Sequence, residues 1–313
     1  MKAMLLTFSA PVHFGAGRLT DSQYTCDAAT IFSALYIEAL RSGQDVAAGL
    51  LNAARSGSLA LSDAFPYRGD VLYLPKPMLP AGALAKGVAQ AQEAQDSRVR
   101  KAAKKLAFIP VERYADYLAG IFDPVRELER FNLGTSGLQA KVNLVRDRGG
   151  DAEPYFVGGY SFASNAGIYF ITQGSYDIEP LLEQLGYAGL GGKRTSGYGR
   201  FTYRAVPFSL PGLGGDSGAG STVPRNLLLS TSVPLPGELD DKLLEDARFK
   251  VVRKGGFVQS TAHHARQQKK RDLYAFAAGS AFSRTFEGGV FDVNATPGAH
   301  AVYRYARAMW MEV

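Results

Sequence analysis

The sequence predicts an α+β fold divided into two domains, and three observations carry that expectation. The chain has 313 residues, 46% hydrophobic and 20% charged, which exceeds the roughly 250–300 residues at which a single core stops growing. Residues 207–224 are rich in Gly, Ser and Pro and lack apolar periodicity, so they form a linker between domains 1–206 and 225–313. Directly after that stretch, Leu227-Leu228-Leu229-Ser230-Thr231-Ser232-Val233-Pro234 repeats the residue character of Met4-Leu5-Leu6-Thr7-Phe8-Ser9-Ala10-Pro11 position for position. The echo reads as a duplicated unit that begins with a strand.

The elements follow in order. Lys2 to Ser9 form a buried strand. Asp27 caps a helix whose apolar positions Ile31, Phe32, Leu35, Ala39 and Leu40 recur at helical spacing and which Gly43 stops. A second helix runs from Asp45 to near Gly57, and Pro75, Pro77 and Pro80 mark a loop that no regular element can cross. Ala83 to Lys105 is a polar helix or arm with little core of its own. Gln139 to Arg148 is a strand, Gly149-Gly150 a turn, and Tyr155 to Ile171 carries two strand segments broken at Gly158-Gly159 and at Asn165-Ala166-Gly167, which makes a β-hairpin. A short helix, Ile178 to Leu185, precedes a loop with five glycines in the eleven residues from Gly189 to Gly199. The C-terminal domain is strand-dominated, with a helix at Glu238 to Asp246, a strand around Phe249 to Val252, a turn at Gly255-Gly256, and strands near Ala275 to Phe282 and Val302 to Trp310.

Composition narrows the function. Thirty-five Lys and Arg against 29 Asp and Glu give a net charge of +6, which favours an anionic partner such as nucleic acid, a phosphate ligand or an acidic protein face. Cys26 is the only cysteine, so intramolecular disulfides and thiolate-rich zinc sites are excluded and a reducing, cytoplasmic setting is expected. No apolar run reaches the ~20 residues of a membrane span, and the apolar stretch at Met1 to Phe8 is too short for a signal peptide. A soluble protein without membrane contact is expected.

The Gly189 to Arg200 loop carries the strongest functional signal. Closely spaced glycines let backbone N–H groups approach an anion, and Lys193, Arg194 and Arg200 can neutralise it. It is not a nucleotide-binding P-loop, since Tyr187 stands where the first Gly is required and Arg194 where Ser or Thr would ligate magnesium. A dinucleotide fingerprint fails as well, because the loop leads into a strand rather than a helix. Gly191, Gly192, Lys193, Arg194, Thr195, Ser196, Gly197 and Tyr198, the last with a stackable ring, suit an RNA backbone; the competing reading is a glycine-rich connection with incidental charge. Lys141, Asn143, Arg146 and Arg148 place base-reading and phosphate-binding groups on one short segment, or form a charged edge strand. Arg248 to Arg271 holds eight basic residues and no acid, either a solvated face or a surface turned to phosphate or a partner.

The four histidines show no metal-ligand spacing, and no metal site or cofactor is expected. His13, beside Gly15 and Gly17, could serve as a general base on a ribose hydroxyl or simply hydrogen-bond a nucleotide or the backbone. Neither a nucleophile elbow nor a paired-carboxylate motif is present, so hydrolase chemistry finds no support.

Five stretches taken together resemble the RAMP superfamily of CRISPR effector subunits. They are Ala10 to Gly15 with Asp27 to Leu35, Asn143 to Arg148, Gly189 to Phe201, Lys254-Gly255-Gly256-Phe257 with Ala278-Gly279-Ser280, and His300 to Tyr305. Their order is similar to that of the subunits that cap the crRNA 5′ end in type III-A (Csm) complexes, and less so to the type III-B equivalent. The resemblance implies two ferredoxin-like (RRM-like) domains with a β-hairpin thumb insertion, sought between Leu106 and Tyr155. It further implies a non-catalytic RNA-binding subunit that grips the 5′ repeat-derived handle of the crRNA, contacts the large polymerase-like subunit, abuts a backbone RAMP subunit and lies near the target RNA. On this resemblance the RNA-binding residues are His13, the loop residues Gly191 to Tyr198, Arg200, Asn143, Arg146, Arg148 and Lys254. Val142 stands where a more polar residue is common in the family. The alternatives are a metal-independent endoribonuclease that matures crRNA with His13 as base, and a protein–protein adaptor.

Overall fold

A computed structural model describes residues 1–79, 97–143, 153–210, 226–258, 268–295 and 300–313. In chain order, β1 (Lys2–Phe8) is followed by the short pair β2 (Phe14–Gly15) and β3 (Ser22–Gln23), helices α1 (Ala28–Ser42) and α2 (Gln44–Ser56), and strands β4 (Ala60–Leu61), β5 (Phe65–Arg68) and β6 (Val71–Pro75). Next come α3 (Ser97–Lys105), β7 (Phe108–Pro110), α4 (Tyr114–Ala119), α5 (Pro124–Arg130), β8 (Gly134–Asn143), β9 (Glu153–Phe162), β10 (Ala166–Gln173), α6 (Glu179–Ala188) and β11 (Phe201–Pro207). The C-terminal part holds β12 (Asn226–Leu228), α7 (Asp241–Leu244), β13 (Val251–Lys254), β14 (Leu273–Phe276), β15 (Ala281–Phe282), β16 (Gly288–Asp292), β17 (Tyr303–Arg307) and β18 (Trp310–Glu312).

The central sheet runs β11-β1-β10-β5-β6-β7, with β4 also paired to β10. β1 lies antiparallel to both β10 and β11, with Leu5 opposite Tyr169 on one side and Arg204 on the other. Alternate residues of the two central strands enter different cores. Met4, Leu6, Ile168 and Phe170 pack with residues of α1, α2 and α6, whereas Ala3, Leu5, Tyr169 and Ile171 pack with Leu227, Leu229, Met309, Met311 and Val313 from the C-terminal part. Burial on both faces explains why β1 reads as a continuous apolar run rather than an alternation. The expected boundary at 207–224 thus separates two stretches of chain that share one core; residues 211–224 of it lie outside the described residues.

Local chemistry sets the element ends. The Asp27 carboxylate accepts hydrogen bonds from the Thr30 backbone N–H (2.9 Å) and hydroxyl (2.6 Å), and Gly43 ends α1. Ile31, Phe32, Leu35 and Ala39 are buried as expected, while Leu40 of the same run is exposed. The expected strand at Gln139 starts earlier, since β8 and β9 pair in register from Gly134 opposite Phe162 to Asn143 opposite Glu153. β9 passes through Gly158-Gly159 without a break, because a side chain at Gly158 would overlap the Thr20 backbone. Those glycines serve close approach, not a turn.

In the C-terminal part, a three-stranded sheet β15-β12-β18 stands beside the ribbons β13-β14 and β16-β17. The expected helix over 238–246 shrinks to the single turn of α7. The Glu238 side chain accepts hydrogen bonds from the backbone N–H groups of Leu235 (2.6 Å), Glu287 (2.8 Å) and Gly288 (3.1 Å), so it organises a loop, and Asp240 caps the turn instead. Val302 to Trp310 divides into β17 and β18, and Ala275 to Phe282 into β14 and β15 around a turn at Ala277 to Ser280.

Candidate functional site

Strand β1 ends beside the His13 turn, α6 delivers the glycine loop to the same end of the sheet, and the β13-β14 ribbon folds back over the first turn of α1. Between them lies a cleft of about 1030 Å3. Six Lys or Arg side chains line it (Arg194, Arg253, Lys254, Lys269, Lys270 and Arg304) against two carboxylates, Asp27 and Asp272. This excess of positive charge in a concave space suits an anionic ligand.

Of the residues singled out from the sequence, the fold brings His13, Gly191, Gly192, Arg194 and Lys254 together on this lining. His13 is buried, its ring Nδ1 lies 2.7 Å from the Gly158 carbonyl oxygen, and its own carbonyl accepts the Gly192 N–H at 2.8 Å. It therefore ties the glycine loop to the β8-β9 hairpin. Arg194 is 12% exposed and lies 3.6 Å from Glu38 of α1, with its Nη1 buried and making no hydrogen bond. Burial lowers the guanidinium's pKa against the pull of Glu38.

The rest of the loop is placed differently. Arg194 to Ser196 form one 3₁₀ turn in which Thr195 and Ser196 are exposed. The Lys193 ammonium sits 5.3 Å from the centre of the Tyr155 ring. Tyr198, read from the sequence as a stacking side chain, is buried: its hydroxyl donates to Gln139 Oε1 at 2.7 Å and the Lys141 ammonium lies over its ring. Arg200 is exposed, and its carbonyl accepts from the Ser9 N–H at 3.0 Å. Neither Lys193 nor the residues from Thr195 to Arg200 line the cleft. Asn143 ends β8, and Arg146 and Arg148 lie outside the described residues.

The opposite wall comes from chain more than 200 residues away from α1. Lys254 Nζ lies 3.0 Å from Asp27 Oδ2. Burial opposes the charge on Asp27, but Lys254 and the hydrogen bonds from Thr30 outweigh it and hold this carboxyl below its ordinary value. Beside it, Asp63 accepts from the N–H groups of Ala28 and Thr231, both at 2.8 Å, and from the Thr231 hydroxyl at 2.6 Å. That carboxylate clasps the start of α1 to the C-terminal part, and burial together with the charge of Asp27 pushes its pKa up to about 6. Lys270 and Arg304 also face the cleft; Arg304 donates to the Gly255 carbonyl at 2.6 Å. Neither residue has an individual role in the sequence reading, in which this wall is represented by Lys254, the stretches Lys254 to Phe257 and His300 to Tyr305, and the acid-free run from Arg248 to Arg271.

Among the described residues no group of three or more His, Cys, Asp or Glu side chains could hold a metal ion, and no helix is long and apolar enough to cross a membrane.

The class defined by this geometry is an antiparallel α+β protein with a basic cleft closed by its two ends. Its family is settled by its relatives: the chain belongs to the Csm4 family of type III CRISPR complex subunits. Residues 221–313 match the CRISPR Csm4 C-terminal domain. The chain is 36% identical over 307 residues to "CRISPR system Cms protein Csm4" of Mycobacterium tuberculosis (strain ATCC 25618 / H37Rv), covering 96% of this chain and 93% of that protein. It is 32% identical over 315 residues to the protein of the same description from Streptococcus thermophilus, covering 100% and 98%. The fold is similar to that in the crystal structure of a Csm1-Csm4 cassette in complex with cA4 (TM-score 0.61, 18% identity, 100% of this chain and 97% of that one). It is equally similar to that in a Csm3-Csm4 subcomplex of the type III-A CRISPR-Cas interference complex (TM-score 0.61, 17% identity, 99% and 98%). The RAMP family expected from the sequence is thereby borne out.

Proposed function

We propose that this chain is the subunit that grips the 5′ repeat-derived handle of the crRNA, and that it acts by binding rather than by catalysis. The observation that carries the reading is the cleft, in which the glycine loop of the N-terminal part faces a wall of five cations from the C-terminal part. Backbone N–H groups and Lys or Arg side chains on two sides of a groove suit the phosphates of a single strand. The similar structures of a Csm1-Csm4 cassette and a Csm3-Csm4 subcomplex support contacts to a large subunit and to a backbone subunit, and a cytoplasmic location goes with this reading. The strand order β11-β1-β10-β5, with α1 and α6 as the crossing helices, supports a ferredoxin-like N-terminal domain. The β8-β9 hairpin is the candidate thumb, which would lie near paired guide and target RNA. The C-terminal part has only the one-turn α7 among its described residues, so a second ferredoxin-like unit would be a reduced one. A catalytic role for His13 is disfavoured by its buried ring and its contact with the Gly158 carbonyl.

The test is RNA affinity as a function of salt. The double variant Lys193→Ala/Arg194→Ala should bind a handle-sequence RNA more weakly and flatten the plot of log affinity against log salt by about 0.7 to 1.4, one contact from Arg194 on the cleft lining and a second where Lys193 leaves the Tyr155 ring. Unchanged affinity and slope would refute the assignment. Cleavage of precursor RNA in EDTA, lost in His13→Ala, would refute its non-catalytic part.

A further inference from the structure

The C-terminal wall holds more positive charge than its own acids balance. Lys254 is paired with Asp27 at 3.0 Å, and Arg253 lies 3.8 Å from Asp272 on the exposed side of the ribbon. Lys270 makes no ion pair among the described residues. It is half-buried, and burial and the charge of Arg304 both lower its pKa while Asp27 pulls the other way. Arg304 uses one nitrogen on the Gly255 carbonyl, and its buried Nε has no hydrogen-bond acceptor. Three cations, Lys254, Lys270 and Arg304, therefore converge near Asp27, and Asp272 also acts on Arg304. The Asp27 carboxylate cannot follow a ligand, because it caps α1 and is fixed by Thr30. Lys254, by contrast, sits on a flexible four-carbon stem at 29% exposure.

We infer that this wall is a phosphodiester subsite of its own, built by Lys270, Lys254 and Arg304, in which the Asp27 carboxylate is the resident competitor that an RNA phosphate must outbid for Lys254. The inference rests on the RNA-binding reading and deepens it: the strand is held at two separate places, the glycine loop and this wall. An ammonium pair with a guanidinium matches a phosphate's oxygens through charge-assisted hydrogen bonds. The cleft is open and continuous from Gly191 to Arg304, which a strand of nucleotides can follow. Phe257, half-exposed on the same lining, offers a ring for a base.

The full chain is titrated with a fluorescent single-stranded RNA of about ten nucleotides at several salt concentrations. Lys270→Gln should weaken binding about three- to tenfold and flatten the salt slope by about 0.7, the loss of one contact. Lys270→Arg keeps the charge and should retain the affinity, which separates lost charge from a damaged fold. Asp27→Asn keeps a capping oxygen while removing the competing charge, so it should tighten binding several-fold. If Lys270→Gln leaves affinity and slope unchanged while Lys193→Ala/Arg194→Ala lowers both, the subsite is refuted and the RNA reading stands. If neither variant alters binding, the RNA reading itself fails and takes the subsite with it. Unchanged affinity in Asp27→Asn overturns the role of Asp27. A poly-glutamate probe that binds as tightly as RNA and is equally lost in Lys270→Gln would reassign the wall to an acidic protein segment.

Discussion

Around the glycine loop the cations are engaged within the molecule, whereas on the C-terminal wall of the cleft Lys270 and Arg304 are left over. Lys193 rests on Tyr155, Arg194 faces Glu38, and Tyr198 is buried against the β8-β9 hairpin. Across from them, Lys270 has no ion pair among the described residues and Arg304 keeps a buried nitrogen without an acceptor. The glycine loop, conspicuous as a motif, is largely a device for packing chain against chain. The inconspicuous Lys270 and Arg304, 34 positions apart, supply the uncommitted charge. A motif dense enough to be read locally has local structural work to do, and a site assembled by the fold leaves little local pattern.

The sharpest way to break this comparison is to unseat the loop alone. Gly199 has φ +75°, and a Cβ there would overlap the backbone of Leu190, whose N–H donates to the Gly199 carbonyl at 2.9 Å. Gly199→Val should cost about 4 kcal/mol or more, since the obstacle is main chain and cannot rotate aside. Thermal unfolding measures it. A loss below about 1 kcal/mol would mean that the loop is loosely held, and that its glycines are kept for a ligand rather than for packing.

The second prediction addresses the joint that holds the two walls in register. The Asp63 carboxyl, with a pKa of about 6 in the folded chain against an ordinary 3.8, holds its proton more tightly when folded than when unfolded. Its contribution to stability is therefore fully present below about pH 4 and is lost as the pH rises through about 6, a change of about 3 kcal/mol at 1.4 kcal/mol per pKa unit. Asp27 works in the opposite sense: its carboxyl is held below the ordinary value, so its contribution is present above about pH 4 and lost as the pH falls. Asp63→Asn cannot ionise, and its oxygen can still accept from Ala28 and Thr231. About 1.4 kcal/mol of that change falls between pH 5 and pH 7.5, so the melting temperature of this variant should rise relative to the native chain by about 2 °C over that range. A difference that stays constant across that range would show that Asp63 does not titrate there.

Much of the frame was legible from sequence, for physical reasons visible in particular residues. β1 and α1 are decided by local pattern and by a cap, Asp27, three residues from the group it satisfies. The glycine loop was legible as a loop, but the ring of Tyr198 was not legible as buried, because the residue that takes its hydroxyl, Gln139, lies 59 positions away. The contact of Lys254 with Asp27 joins the two ends of the chain, which long-range packing such as the shared core of Leu5, Tyr169, Leu229 and Met311 and the Asp63–Thr231 clasp bring together. The uninterrupted β9 was missed because Gly158-Gly159 looks the same whether the chain turns or another segment passes close.

The smallest expected effect sharpens the comparison at Tyr198. Tyr198→Phe removes a hydroxyl whose partner is Gln139 at 2.7 Å, which should cost about 1 kcal/mol of stability. RNA affinity should stay within twofold, because the ring is buried and outside the cleft lining. Gln139→Leu removes the other partner, and the two changes should be coupled in stability, so that the double variant loses less than the sum of the singles. If Tyr198→Phe instead weakens RNA binding severalfold while leaving stability untouched, the hydroxyl serves the nucleic acid and not Gln139. The loop would then be a contact surface in its own right, and the contrast between a committed wall and a free one would fail at its clearest point.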